Sequence, residues 1–63
     1  MTKQQLVLSA RLEDLQTKLD ETWSRFEWVL ATLGETHWAE GLLDQAARLE
    51  QQISGVQAQL ASL

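Results

Sequence analysis

Apolar side chains along this chain recur with a helical period. From Leu8 they fall at Leu8, Leu12, Leu15, Leu19, Phe26, Val29 and Leu33, in alternating steps of four and three, with polar Thr22 the one gap. A second series runs Ala39, Leu42, Ala46, Leu49, Ile53, Val56, Leu60 and Leu63 with the same alternation. The two do not join. Leu33 to Ala39 is a step of six between equivalent positions, so a single continuous helix would slip its seam by one residue there. Gly34 supplies the backbone freedom that ends a helix, Thr36 is a residue type that caps the next, and Thr2 with Gln5 fits a capping box. The pattern predicts an all-α chain with a helix over 3–33, a turn over 34–36 and a helix over 37–63, all within one domain, 1–63.

Folding back about Gly34 sets definite residues opposite one another. The layers are Val29 with Ala39, Phe26 with Leu42, Thr22 with Ala46, Leu19 with Leu49, Leu15 with Ile53, Leu12 with Val56, and Leu8 with Leu60. The small Thr22 and Ala46 sit beside the bulky Phe26 layer, as interdigitation favours. The expected fold is therefore an antiparallel two-helix hairpin of coiled-coil type. A long helix that pairs in trans is the alternative, and the phase slip disfavours it.

The register also assigns the two flanks of the seam. One carries Trp23 opposite Leu43 and Leu30 opposite Thr36, then turns polar with Gln16 opposite Glu50 and Ser9 opposite Gln57. The other pairs Arg11 with Gln59, Lys18 with Gln52, Arg25 with Gln45, and Thr32 with Trp38. Trp28 lies outside the seam, on the outer side of helix one near Arg25 and Thr32. Phe26 belongs to the core, whereas Trp23, Trp28 and Trp38 flank it, and a hairpin has nothing else of its own to cover them. Several large apolar groups near one end of a small protein mark an interaction surface. The Trp23, Leu30, Leu43 flank is the expected partner-binding surface, with Trp38 and Trp28 as further contacts. For Trp28 a bland reading stands beside it, in which Arg25 lies over the ring.

Composition says why a partner is needed. With 63 residues and no cysteine, the chain has no disulfide to brace a core that at this size rarely supplies more than about 3–5 kcal/mol. Another chain is expected to complete it, and a homodimeric four-helix bundle that buries the same flank would serve as well. The formal net charge of −4, from five basic and nine acidic residues, argues against nucleic acid as a partner. Arg11, Lys18 and Arg25 repeat every seven residues along one flank. They are expected to lie over the seam and bond the facing Gln59, Gln52 and Gln45, although an RNA-binding regulator would use the same line. No apolar run approaches a membrane span, and "MTKQQLVLSARLED" lacks the layout of a signal peptide, so a soluble, cytoplasmic protein is expected.

Chemistry finds no foothold, and the chain is read as no enzyme. His37 is the one histidine and is expected to be a solvated turn residue, while Glu13, Asp14, Asp20, Glu21 and Glu27 line the outer face of helix one. No metal or other cofactor is implied, because carboxylates without several His or Cys make a poor transition-metal set. Gly41 and Gly55 stand out, since a glycine inside a helix costs about 1 kcal/mol relative to alanine. They share one face. Either that face admits close approach of another helix, or Gly41 marks a frayed first turn.

A hairpin of this length, with Gly34 at the turn, Trp38 soon after it and a second helix reading "LLDQAARLEQQISGVQAQL", resembles the small E-type co-chaperones of type III secretion needle subunits, the YscE/PscE-like hairpins. The likeness spans most of the chain. Gly34, Trp38, Ala46, Leu49, Glu50 and the closing apolar series match in kind, with a one-residue offset around the turn. The resemblance implies a non-catalytic binder of a helical-repeat chaperone, the pair keeping the secreted needle subunit soluble in the cytoplasm before export. Two departures bear on the partner surface: three tryptophans where that family has fewer, and Gln in place of aromatics on the outer positions of the second helix. The opening "MTKQ" is similar to the plasmid copy-number RNA-binding hairpins of the Rop type over those four residues. The aromatic on their RNA-facing helix would fall at Asp14, where a carboxylate repels phosphate.

Overall fold

The computed structural model describes residues 2–34 and 37–63. It holds two helices, α1 (Lys3–Leu33) and α2 (His37–Ala61). A helix the length of α1 spans about 46 Å at 1.5 Å per residue, and the longest dimension of the molecule is 46 Å. The second helix must therefore lie alongside the first. The antiparallel helical hairpin predicted from the register is the fold observed.

Each end of α1 is closed by its own local chemistry. The hydroxyl of Thr2 accepts a bond from the Gln5 amide at 3.2 Å, and the Gln5 side-chain oxygen accepts one from the Thr2 amide at 2.9 Å. Two of the four amide donors that a helix start leaves free are satisfied in this way. At the other end Gly34 adopts φ 77° and ψ −164°, and its amide donates to the carbonyls of Val29 and Leu30 at 3.1 and 3.2 Å. That backbone region is open to glycine almost alone. Thr36, the expected cap of α2, lies outside the described residues.

The seam is the predicted one. Leu15, Thr22, Val29, Ala39, Ala46, Leu49 and Val56 are buried, and Leu8, Leu12, Leu19, Phe26, Leu42, Ile53 and Leu60 are half-buried between them. Thr22, the polar gap, has its hydroxyl satisfied within α1, donating to the Lys18 carbonyl at 2.8 Å. A hydroxyl bonded back onto its own helix can be buried without a partner from α2. The ends of the seam behave differently. Leu33 and Leu63 keep the register yet are 54% and 53% exposed, because each stands beyond the last complete layer. The helix expected to reach residue 63 stops at Ala61, where the last turn tightens: the Leu63 amide bonds the Leu60 carbonyl at 3.4 Å and the Ser62 hydroxyl bonds the Gln59 carbonyl at 3.0 Å.

A hairpin buries one stripe of each helix and little else. For a mass of 7.2 kDa the surface of a compact monomer is about 4100 Å², whereas this chain exposes 4850 Å². The excess of about 750 Å² is close to the share that one partner contributes to an ordinary protein interface, about 800 Å². The elongated shape, 46 Å by 14 Å by 11 Å, accounts for the excess.

Candidate functional site

Two flanks border the seam, and the structure separates what they carry. On the first, Trp23 of α1 is half-buried, with its ring edge-on to Phe26 at a centroid distance of 5.7 Å and an interplanar angle of 82°. Edge-to-face contact is a favoured aromatic geometry, so the seam covers part of this tryptophan and fixes its orientation. The sequence alone left Trp23 with nothing of its own chain to cover it, and this contact corrects that. Leu30 and Leu43, its expected companions, are 38% and 45% exposed. No basic residue occupies this flank.

The opposite flank holds the other two tryptophans, and both are far more open. Trp28 is 62% exposed and Trp38 71%. They border one recess of about 400 Å³, whose walls are Arg25, Trp28, Val29, Leu33, Trp38 and Leu42. Arg25 is the sole charged group among the described residues of that lining. Farther from the turn, Arg11 borders a second recess of about 230 Å³ with Gln52, Gly55, Val56 and Gln59. Both recesses open on the flank that carries the basic line.

The basic residues do not bond as the register suggests. Among the described residues no hydrogen bond joins Arg11, Lys18 or Arg25 to Gln59, Gln52 or Gln45. Lys18 turns instead to Asp14 on its own helix, with an ammonium-to-carboxylate distance of 3.0 Å. An i, i+4 carboxylate offers an opposite charge that a facing amide does not. Arg11 and Arg25 are exposed and form no ion pair among the described residues. Nor does Arg25 stack on Trp28: the aromatic contact among the described residues is Trp23 with Phe26.

Gly41 and Gly55 can now be placed. α2 begins at His37, so Gly41 is helical, and both glycines have ordinary negative φ, Gly34 being the glycine with a positive one. A Cβ built at either position meets nothing within 4 Å. Packing within the hairpin therefore gives no reason for glycine at either site. The lining of the second recess puts Gly55 on the basic flank, and Gly41 follows it by register.

A shallow depression of about 670 Å³ is bordered by Asp44, Ala47, Arg48, Glu50, Gln51 and Ser54, all on α2. It is the outer face of a single helix, crossed by an Asp44–Arg48 ion pair at 2.9 Å, and encloses nothing. Among the described residues no three His, Asp or Glu side chains converge as metal ligands would. Among the described residues no helix is long and apolar enough to cross a membrane.

The five residues singled out from the sequence thus fall into two groups: Trp23, Leu30 and Leu43 on one flank, Trp28 and Trp38 on the other. That Trp28 and Trp38 share a recess was present in the register, which set both beside Thr32. Comparison of the chain with protein-family models, curated proteins and solved structures finds no match.

Proposed function

We propose that this chain is a non-catalytic binding module, a helical hairpin that docks its Trp23, Leu30, Leu43 flank against helices of another protein. The observation that carries the reading is the Trp23 flank itself. An aromatic ring edge-on against Phe26 shares its flank with two partly exposed leucines, with no basic residue beside it. A pre-oriented aromatic in an apolar patch is what interface hot spots are made of, since little side-chain entropy remains to be lost on binding. The surface left over by the elongated shape is of the size that such a contact covers. The resemblance to the E-type co-chaperones supplies the finer form of the proposal: a cytoplasmic co-chaperone that, with a helical-repeat chaperone, holds a type III secretion needle subunit soluble before export.

The test is light scattering with circular dichroism on the purified chain across a concentration series, then on the chain mixed with a helical-repeat chaperone and needle subunit. The reading expects a weak dimer or partly unfolded monomer alone and a stable helical complex in the mixture, lost on Trp23→Ala. A complex that survives Trp23→Ala unchanged would move the docking surface elsewhere. The same leftover surface also suits a second reading, a homodimeric four-helix bundle; a helical dimer that resists dilution and ignores the added chaperone would select it.

A further inference from the structure

We infer that the opposite flank is a second docking groove, for an acidic amphipathic helix of a partner protein that rests one apolar side chain in the recess between Trp28 and Trp38. This goes beyond the proposed function, which uses the Trp23 flank.

Charge complementarity identifies the occupant. Arg11, Lys18 and Arg25 repeat every seven residues along this flank, which places them roughly 10 Å apart along α1. The positions facing them on α2 are Gln59, Gln52 and Gln45, so no carboxylate of the facing helix neutralises the line. Only Lys18 has a local partner, Asp14, while Arg11 and Arg25 are exposed and unpaired among the described residues. A helix with a carboxylate every seven residues has the same spacing and meets the line group by group. At its turn end the line runs into the recess, where Val29, Leu33, Leu42 and the two indoles form apolar walls and Arg25 is the charged group among the described lining residues. That chemistry takes an apolar anchor next to an acid.

The glycines agree with the same occupant. Gly55 borders the recess of Arg11, and an added Cβ there would touch nothing in the hairpin. Arg48, seven residues from each glycine, presents an exposed side chain at the same register position, so the room that glycine leaves is local to Gly41 and to Gly55 beside Arg11. Phosphate is the poorer fit. The chain carries a net −4, and Asp14 holds one of the three cations already.

The net charge makes the test sharp, because the molecule as a whole attracts a basic peptide and only this flank prefers an acidic one. The probes are two synthetic helical peptides of about 24 residues with the same leucine seam, one flanked by Glu and the other by Lys. Binding is read from the emission of Trp28 and Trp38 in a Trp23→Phe chain at low salt. The Glu peptide should bind about tenfold more tightly than the Lys peptide, as a few exposed charge pairs allow. The preference should shrink at high salt and vanish in the Arg11→Glu, Lys18→Glu, Arg25→Glu triple variant, whose helix content by circular dichroism should persist because all three side chains are exposed. Gly55→Gln should weaken the Glu peptide while leaving the hairpin at least as helical. Equal affinities, binding to neither peptide, or capture of a single-stranded RNA oligonucleotide in preference to the acidic peptide would overturn the inference. Self-association that disappears with Arg25→Glu would overturn it too, in favour of a second copy as occupant. The complex formed through Trp23 is read separately by light scattering, so either surface can fail alone.

Discussion

Three glycines, replaced one at a time by alanine, should move stability in opposite directions. A Cβ built at Gly34, Gly41 or Gly55 meets no atom within 4 Å, so crowding drops out of all three substitutions and only the backbone remains. At Gly41 and Gly55 the backbone is helical and alanine is its best former, so each change should stabilise the fold by about 0.5–1 kcal/mol, in part by restricting the unfolded chain. At Gly34, with φ 77° and ψ −164°, alanine enters a region that side chains avoid, and the cost should be about 1–3 kcal/mol. For a chain of this size a kilocalorie is worth about 4–8 °C in melting temperature, so the two signs are easily separated. The assay is thermal and urea unfolding followed by circular dichroism at one fixed protein concentration, since any association adds to apparent stability. If Gly55→Ala fails to stabilise, the glycine has a role inside the hairpin and the case for an outside helix weakens. If Gly34→Ala is neutral, the turn is built differently from the structure described.

Further substitutions probe the seam. Thr22→Val removes a buried hydroxyl whose partner, the Lys18 carbonyl, remains in the helical ladder; unfolding should show a gain of up to about 1 kcal/mol, and a loss of more than that would mean the hydroxyl serves α2. Leu15→Ala should cost about 2–5 kcal/mol, because Leu15 is buried in the cluster with Leu49 and Val56, and a hairpin this small should then lose its helix signal unless a partner is present. Asp14→Asn breaks an ion pair whose two side chains are more than half exposed, and should shift the melting curve by less than about 0.5 kcal/mol.

How far the amino-acid order reveals this fold depends on the scale asked of it. The seam could be read residue by residue because the heptad repeat and the six-residue phase step leave one antiparallel register, and every residue from Leu8 to Val29 and from Ala39 to Leu60 in that register is buried or half-buried. The capping box could be read because it is a short-range bond between two named side chains. What could not be read lies in rotamers and ends. Whether Lys18 reaches a facing glutamine or turns back to Asp14 depends on which contact a flexible side chain prefers, and the charged neighbour wins. Trp23 meets Phe26 through ring orientation, on which a heptad pattern is silent. The end of α2 at Ala61, with Leu63 half out of the seam, follows from the absence of a further layer to hold it.

Packing along the seam also accounts for why the first flank carries an oriented aromatic at all. The tightest layer is made of its smallest members, with Ala46 at 1% exposure and Thr22 at 3%. Small side chains let two helices come close at that layer, and the bulky ring of the next layer packs against its edge. Phe26 occupies that next layer and stays half-buried, so part of its ring stands at the edge of the seam, where Trp23 meets it. The patch that this flank offers a partner is thus a consequence of the core beneath it. Enlarging the small layer, as in Ala46→Leu, would be expected to spread the helices, alter the seat of Phe26 and release Trp23, so that binding through this flank changes even though Ala46 itself touches no partner.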